Sequence, residues 1–219
     1  MSNKTVSTLS GKHILISVFL IILIRPLSYA VNMLTTDYWI ALMASVNLCS
    51  SALIAYNWPL IERHTERSRN MIGDSLLFTG IGIVLITALT WFAGSFLKAE
   101  LLLPSGQLLI GVGYARPGMM IAFSIMEACM INIGFKNLTD HMDVRNKELQ
   151  AILISAIIFG LFTTIVFTTW DLMVLVRTLP YWLLLTAVLS YLYNQCHSII
   201  PGIVSFTIVN LAVMIMAII

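Results

Sequence analysis

The residue of this chain most able to do chemistry is a carboxylate in an apolar run. Glu127 lies near the middle of PGMMIAFSIMEACMINIGFKNL, residues 117–138, a stretch long enough to cross a bilayer. A carboxylate at that depth costs several kcal/mol unless it is paired or protonated, so it marks a functional site by default. Arg25 sits in the first apolar run, just before Pro26, which removes a helical hydrogen bond and frees backbone carbonyls. It is the economical counter-ion for Glu127. Asn132 shares a segment with Glu127, while Asn32, Asn47, Thr163, Thr164 and Asn210 lie in other apolar runs. The ordinary role of such side chains is hydrogen bonding between helices, worth about 0.6 and at most about 2 kcal/mol each. Asn210 stands out as the one strongly polar side chain of the last apolar run.

No familiar catalytic set accompanies them. H-E-x-x-H, G-x-S-x-G and a pair of membrane aspartates are absent, and the four histidines, His13, His64, His141 and His197, fall at span ends or in connections. GVG at 111–113 lacks the third glycine and the preceding strand of a nucleotide site. His141 with Asp140 and Asp143 forms one polar loop without a second ligand cluster. Neither a metal ion nor another cofactor is expected, and no nucleic-acid partner. Cys49, Cys129 and Cys196 lie in or beside apolar runs, as core-filling thiols would, with no disulfide framework.

The elements that must position these groups follow from composition. Of 219 residues, 59% are hydrophobic and only 10% charged, with a mean hydropathy of +0.93, far from a soluble domain. Residues 1–219 are expected to form one integral membrane domain, an all-α polytopic bundle in contact with lipid. Seven spans of roughly 19 to 24 residues can be drawn, at 13–31, 38–58, 74–97, 117–138, 147–169, 172–194 and 198–219. The first continues through Arg25 without a cleavage-site pattern, so it reads as a retained helix. Placing the N-terminus in the cytoplasm puts Lys4, Lys12, Arg63, Arg67, Arg69, Lys136, Arg145 and Lys147 inside, against Lys98, Arg116 and Arg177 outside.

The connection IERHTERSRNMIGD pairs Glu62 with Glu66 and Arg63 with Arg67 at helical spacing, which predicts a solvated helical ledge, or a headgroup or partner contact. The half-apolar connection 98–116 turns at Pro104, Ser105 and Gly106 and is expected to dip into the interface or cover the bundle. Gly80, Gly82, Gly134, Gly160 and Gly202 permit close helix approach. Trp39, Trp58, Trp91, Trp170 and Trp182, with Tyr38, Tyr181, Tyr191 and Tyr193, read as interface anchors.

The last third has a recognisable cadence. AILISAIIFGLFTT, residues 151–164, followed by LLLTAVLSYLYNQCHSIIPGIVSFTIVNLAV, residues 183–213, resembles the CPBP family of membrane proteins (CAAX proteases and bacteriocin-processing or Abi proteins). The resemblance covers roughly 117–215. The family's first motif, E-E-x-x-x-R, falls on MEACMI, so Met126 replaces the first glutamate, Glu127 keeps the second and Ile131 replaces arginine. Its second, F-x-x-x-H, falls on FGLFT, where Phe159 is kept and Thr163 replaces histidine; its third, H-x-x-x-N, falls on FTIVN, where Phe206 replaces histidine and Asn210 is kept. Active members are thought to use the glutamate as general base on a water that the histidines and asparagine position. Threonine and phenylalanine cannot supply those imidazole functions. The resemblance therefore implies a catalytically degenerate member in a bacterial cytoplasmic membrane, binding a protein partner there. Bacteriocin or microcin self-immunity, or service to an envelope enzyme or exporter, would fit. An active endopeptidase using Glu127 and Asn210, and a small transporter component, are the alternatives.

Overall fold

The structure, a computed structural model, describes residues 11–35, 37–97, 115–139, 148–167 and 172–216. All the secondary structure in these residues is helical: α1 (Gly11–Thr35), α2 (Tyr38–Tyr56), α3 (Trp58–Asn70), α4 (Ile72–Phe92), α5 (Ala115–Thr139), α6 (Glu148–Phe167), α7 (Leu172–Cys196) and α8 (Ile200–Met216). A π-helical turn, Ala93–Leu97, extends α4. The expected cover formed by 98–116 and the loop carrying Asp140, His141 and Asp143 fall almost wholly outside the described residues, as does Trp170.

A helix lies in each of the seven apolar stretches. Among the described residues, three are long and apolar enough on their own to cross a membrane, within Ile14–Thr35, Ile72–Leu97 and Leu172–Cys196. α2 joins them only together with α3, from which it is bent by 77°. That bend has a local cause. Pro59 stands in the first turn of α3 and has no N–H for the carbonyl four residues back, so α2 ends and a new helix begins across Asn57.

α5 is the central helix, packed against α1, α2, α6 and α8. From Met130 to Asn137 every one of its side chains is buried, the signature of a helix surrounded by others. α4 packs on α7 and α8, α1 on α2, and α6 on α7. Leu76, Leu77 and Val84 on α4, like Leu153 and Ile157 on α6, point outward, as lipid-facing side chains do. Thr186 of α7 donates to the carbonyl of Ala156 on α6 at 3.1 Å, tying that pair together.

A buried polar knot joins three other segments. Asn137 Nδ2 donates to Ser17 Oγ at 2.9 Å and to Asn57 Oδ1 at 3.2 Å, and Asn57 Nδ2 reaches the same Ser17 oxygen at 3.2 Å. This is interhelical hydrogen bonding of the expected kind, on different residues. The side-chain carbonyls of Asn32 and Asn47 are buried without a partner.

α3 is the ledge foreseen between the second and third spans, and it rests on Leu60 and His64. Ser198 Oγ donates to the main-chain carbonyl of His64 at 2.9 Å, and the ring N–H of His64 donates to the carbonyl of His197. His197 closes α7 in the left-handed region, φ 52°, with its N–H on the carbonyl of Tyr193. Burial, then the charges of Lys136, Arg67 and Arg63, push the His64 imidazole down to about 4 from its ordinary 6.5. Undocked α3 would therefore take up a proton first as the pH falls. Docking is at full strength above about pH 6.5 and weakens toward pH 4, losing at most about 3 kcal/mol. Hydrogen exchange of amides 58–70, corrected for intrinsic rates, should show protection falling through that window; constant protection would contradict this account.

Candidate functional site

Glu127 on α5 and Asn210 on α8 meet. They are 83 residues apart in sequence, yet Asn210 Nδ2 donates to Glu127 Oε2 at 2.9 Å. Both are buried, at 3% and 5% exposure, so this bond forms with little competition from solvent. A second contact fixes the register of the same two helices. Asn132 lies against Gly202, where an added Cβ would collide with its side-chain oxygen. As numbers rise on α5 they fall on α8, so the helices run antiparallel. Asn132 Nδ2 itself donates to the Ala128 carbonyl of its own helix at 2.8 Å. Ile200–Met216 can approach so closely because its first turn carries Pro201 and Gly202, and Ser198 Oγ accepts the Ile200 N–H there at 3.2 Å.

The partner of Glu127 is Asn210 and not Arg25, which corrects the expected ion pair. Arg25 is half-buried on α1, and Ser28 donates to its main-chain carbonyl at 2.8 Å. An asparagine can serve in place of a cation because its carboxamide donates to the carboxylate without bringing a second charge into the core.

The remaining motif positions are filled by groups without acid-base capacity. Ile131, one turn along α5, and Phe206, one turn before Asn210 on α8, are both 1% exposed and belong to the apolar core. Thr163 on α6 is fully buried, its hydroxyl donated to the Phe159 carbonyl one turn back. Met126 is half-buried beside Glu127.

Tyr181 is the residue that sequence reasoning placed wrongly. Read as an interface anchor, it is 4% exposed on α7, with Trp182 at 3%, their rings 5.2 Å apart and nearly perpendicular. Its depth was the available signal, since nine residues from the start of α7 amount to about 13 Å of helix, well inside a span. Trp58 and Trp91, at 57% and 65% exposure, do sit at the surface.

The arrangement can hold a proton on Glu127 while its other oxygen accepts from Asn210. Among the described side chains it offers no imidazole: His64 lies beside Lys136, itself about 13 Å of helix rise along α5 from Glu127, and His197 lies in the α7–α8 turn. Among the described residues no group of three or more His, Cys, Asp or Glu could hold a metal ion, and all three cysteines are free thiols. Comparison of the chain with protein-family models, with curated proteins and with solved structures finds no match in any of the three.

Proposed function

We propose that this chain is a catalytically degenerate relative of the CPBP membrane proteases that acts by binding a protein partner within a bacterial cytoplasmic membrane, crossing it seven times with its N-terminus inside. Self-immunity to a bacteriocin or microcin, or an accessory role to an envelope enzyme or exporter, is the service such a protein performs. The observation that carries this reading is the Asn210 to Glu127 hydrogen bond. It joins the retained positions of two motifs far apart in sequence, as a shared scaffold would. At the replaced positions stand Ile131, Thr163 and Phe206, all buried, and none carries an acid or base that can activate a water.

The same bond favours one competing reading, an endopeptidase working with Glu127 and Asn210 alone. Affinity capture of tagged protein from membranes separates the two. Wild type and Glu127→Gln are expected to recover the same co-purifying protein in equal amount, because Gln still accepts from Asn210 and the partner surface is untouched. A partner trapped only by Glu127→Gln, as an uncleaved substrate would be, speaks for the enzyme.

A further inference from the structure

One helix joins the charged ledge α3 to the buried pair. α3 exposes Glu62, Arg63, Glu66, Arg67 and Arg69, and of its side chains only Leu60 and His64 are buried. So few buried groups let it lift away while the bundle stays folded, which makes docked and undocked α3 two discrete states. Ser198 holds it down. This side chain is 1% exposed, and its Oγ donates to the His64 carbonyl at 2.9 Å while accepting the Ile200 N–H at 3.2 Å. A single hydroxyl thus ties the middle of α3 to the first turn of α8.

From that turn α8 runs to the pair. Its Gly202 lies against the Asn132 side chain, and Asn210, about 18 Å of helix rise beyond Ser198, donates to Glu127 at 2.9 Å. Both contacts join α8 to α5, so a shift at the start of α8 reaches them together. α5 is tied at the same end of the bundle to Ser17 and Asn57 through Asn137, and so stays in place while α8 moves. A sideways displacement of about 2 Å takes a bond of that length out of range.

We propose that Ser198 is a positioning residue that couples α3 to the Glu127 and Asn210 pair through α8, so that whatever seats or lifts α3 at the membrane surface is felt at Glu127. Coupling is reciprocal, so breaking the pair also loosens α3. The device works in the same way whether Glu127 belongs to a partner-binding scaffold or to a protease, and it rests on neither reading.

Hydrogen exchange of amides 58–70 reads the coupling, with the full chain in lipid nanodiscs at neutral pH. Asn210→Leu should lower their protection about tenfold, although it changes nothing within α3. Gly160→Ala crowds α6 against α7, away from this path, and should leave α3 at its wild-type protection. Ser198→Ala should lower protection by itself, and Asn210→Leu added to it should lower it no further. Two independent structural losses would instead add. If Ser198→Ala fails to fold, the comparison of Asn210→Leu with Gly160→Ala decides without it. Unchanged α3 protection in Asn210→Leu, an equal fall in Gly160→Ala, or a full tenfold fall once the Ser198 hydroxyl is gone would each overturn the proposal.

Discussion

Asn210→Leu is expected to destabilise the protein by about 2 kcal/mol, because it strips a buried carboxyl group of its hydrogen-bond donor. Exposure of Glu127 is only 3%, so water cannot readily replace the lost carboxamide. Hydrogen bonds between membrane helices average about 0.6 kcal/mol, since a chain unfolded in the bilayer also finds partners. The larger figure applies here because one partner is left behind. Glu127→Leu combined with Asn210→Leu removes both groups and should restore stability to within about 1 kcal/mol of wild type. Glu127→Gln keeps an acceptor for Asn210 and should cost less than Asn210→Leu. Reversible unfolding in mixed micelles measures all four proteins. A double variant no better than Asn210→Leu would mean that the two residues do not act as a pair.

Gly160→Ala should have an effect of similar or greater size, at the seam between α6 and α7. A methyl group there would lie 2.9 Å from the Cα and 3.1 Å from the N of Leu183. Backbone atoms cannot rotate aside, so the helices must separate, at a cost of about 1 to 3 kcal/mol. Separation would also stretch the Thr186 to Ala156 hydrogen bond. Gly160→Leu should prevent the two helices from packing at all. Gly80 supplies the control, because no atom lies within 4 Å of the added carbon. Gly80→Ala should be neutral or stabilising by up to about 1 kcal/mol, through helix propensity alone. The same unfolding measurement compares them, and equal effects at Gly160 and Gly80 would refute the close packing of α6 on α7.

Sequence made the helices legible and left their rotations hidden. Hydropathy marks the apolar stretches, and the i, i+4 charges of Glu62, Arg63, Glu66 and Arg67 mark α3. Glu127 and Asn210 were conspicuous because each breaks an apolar run, and the structure sets them side by side. Which face of a membrane helix turns inward is a harder matter. In water a buried face is apolar and an exposed one polar, but in lipid both are apolar and the helical period fades. On α6, Ile157 and Ile158 face outward while Ala156 and Phe159 are buried, a difference with no counterpart in hydrophobicity. The same ambiguity hid the burial of Tyr181 and Trp182. It also made Arg25 look like the natural partner of Glu127, since charge is visible in a sequence and the placement of a carboxamide is not. Asn137 and Asn57 give no such signal for a related reason, because residues near helix ends look solvated until the 77° bend after α2 and the packing of α5 bring the two together.

The most direct test of the proposed function is a search for new protein ends. Peptide termini in membranes from cells making wild-type protein are compared, by mass spectrometry, with those from cells making Glu127→Gln and from cells making neither. A catalytically degenerate binding protein predicts the same set of termini in all three. Termini that appear with wild type and vanish with Glu127→Gln would contradict it, and would make Glu127 and Asn210 a working protease site.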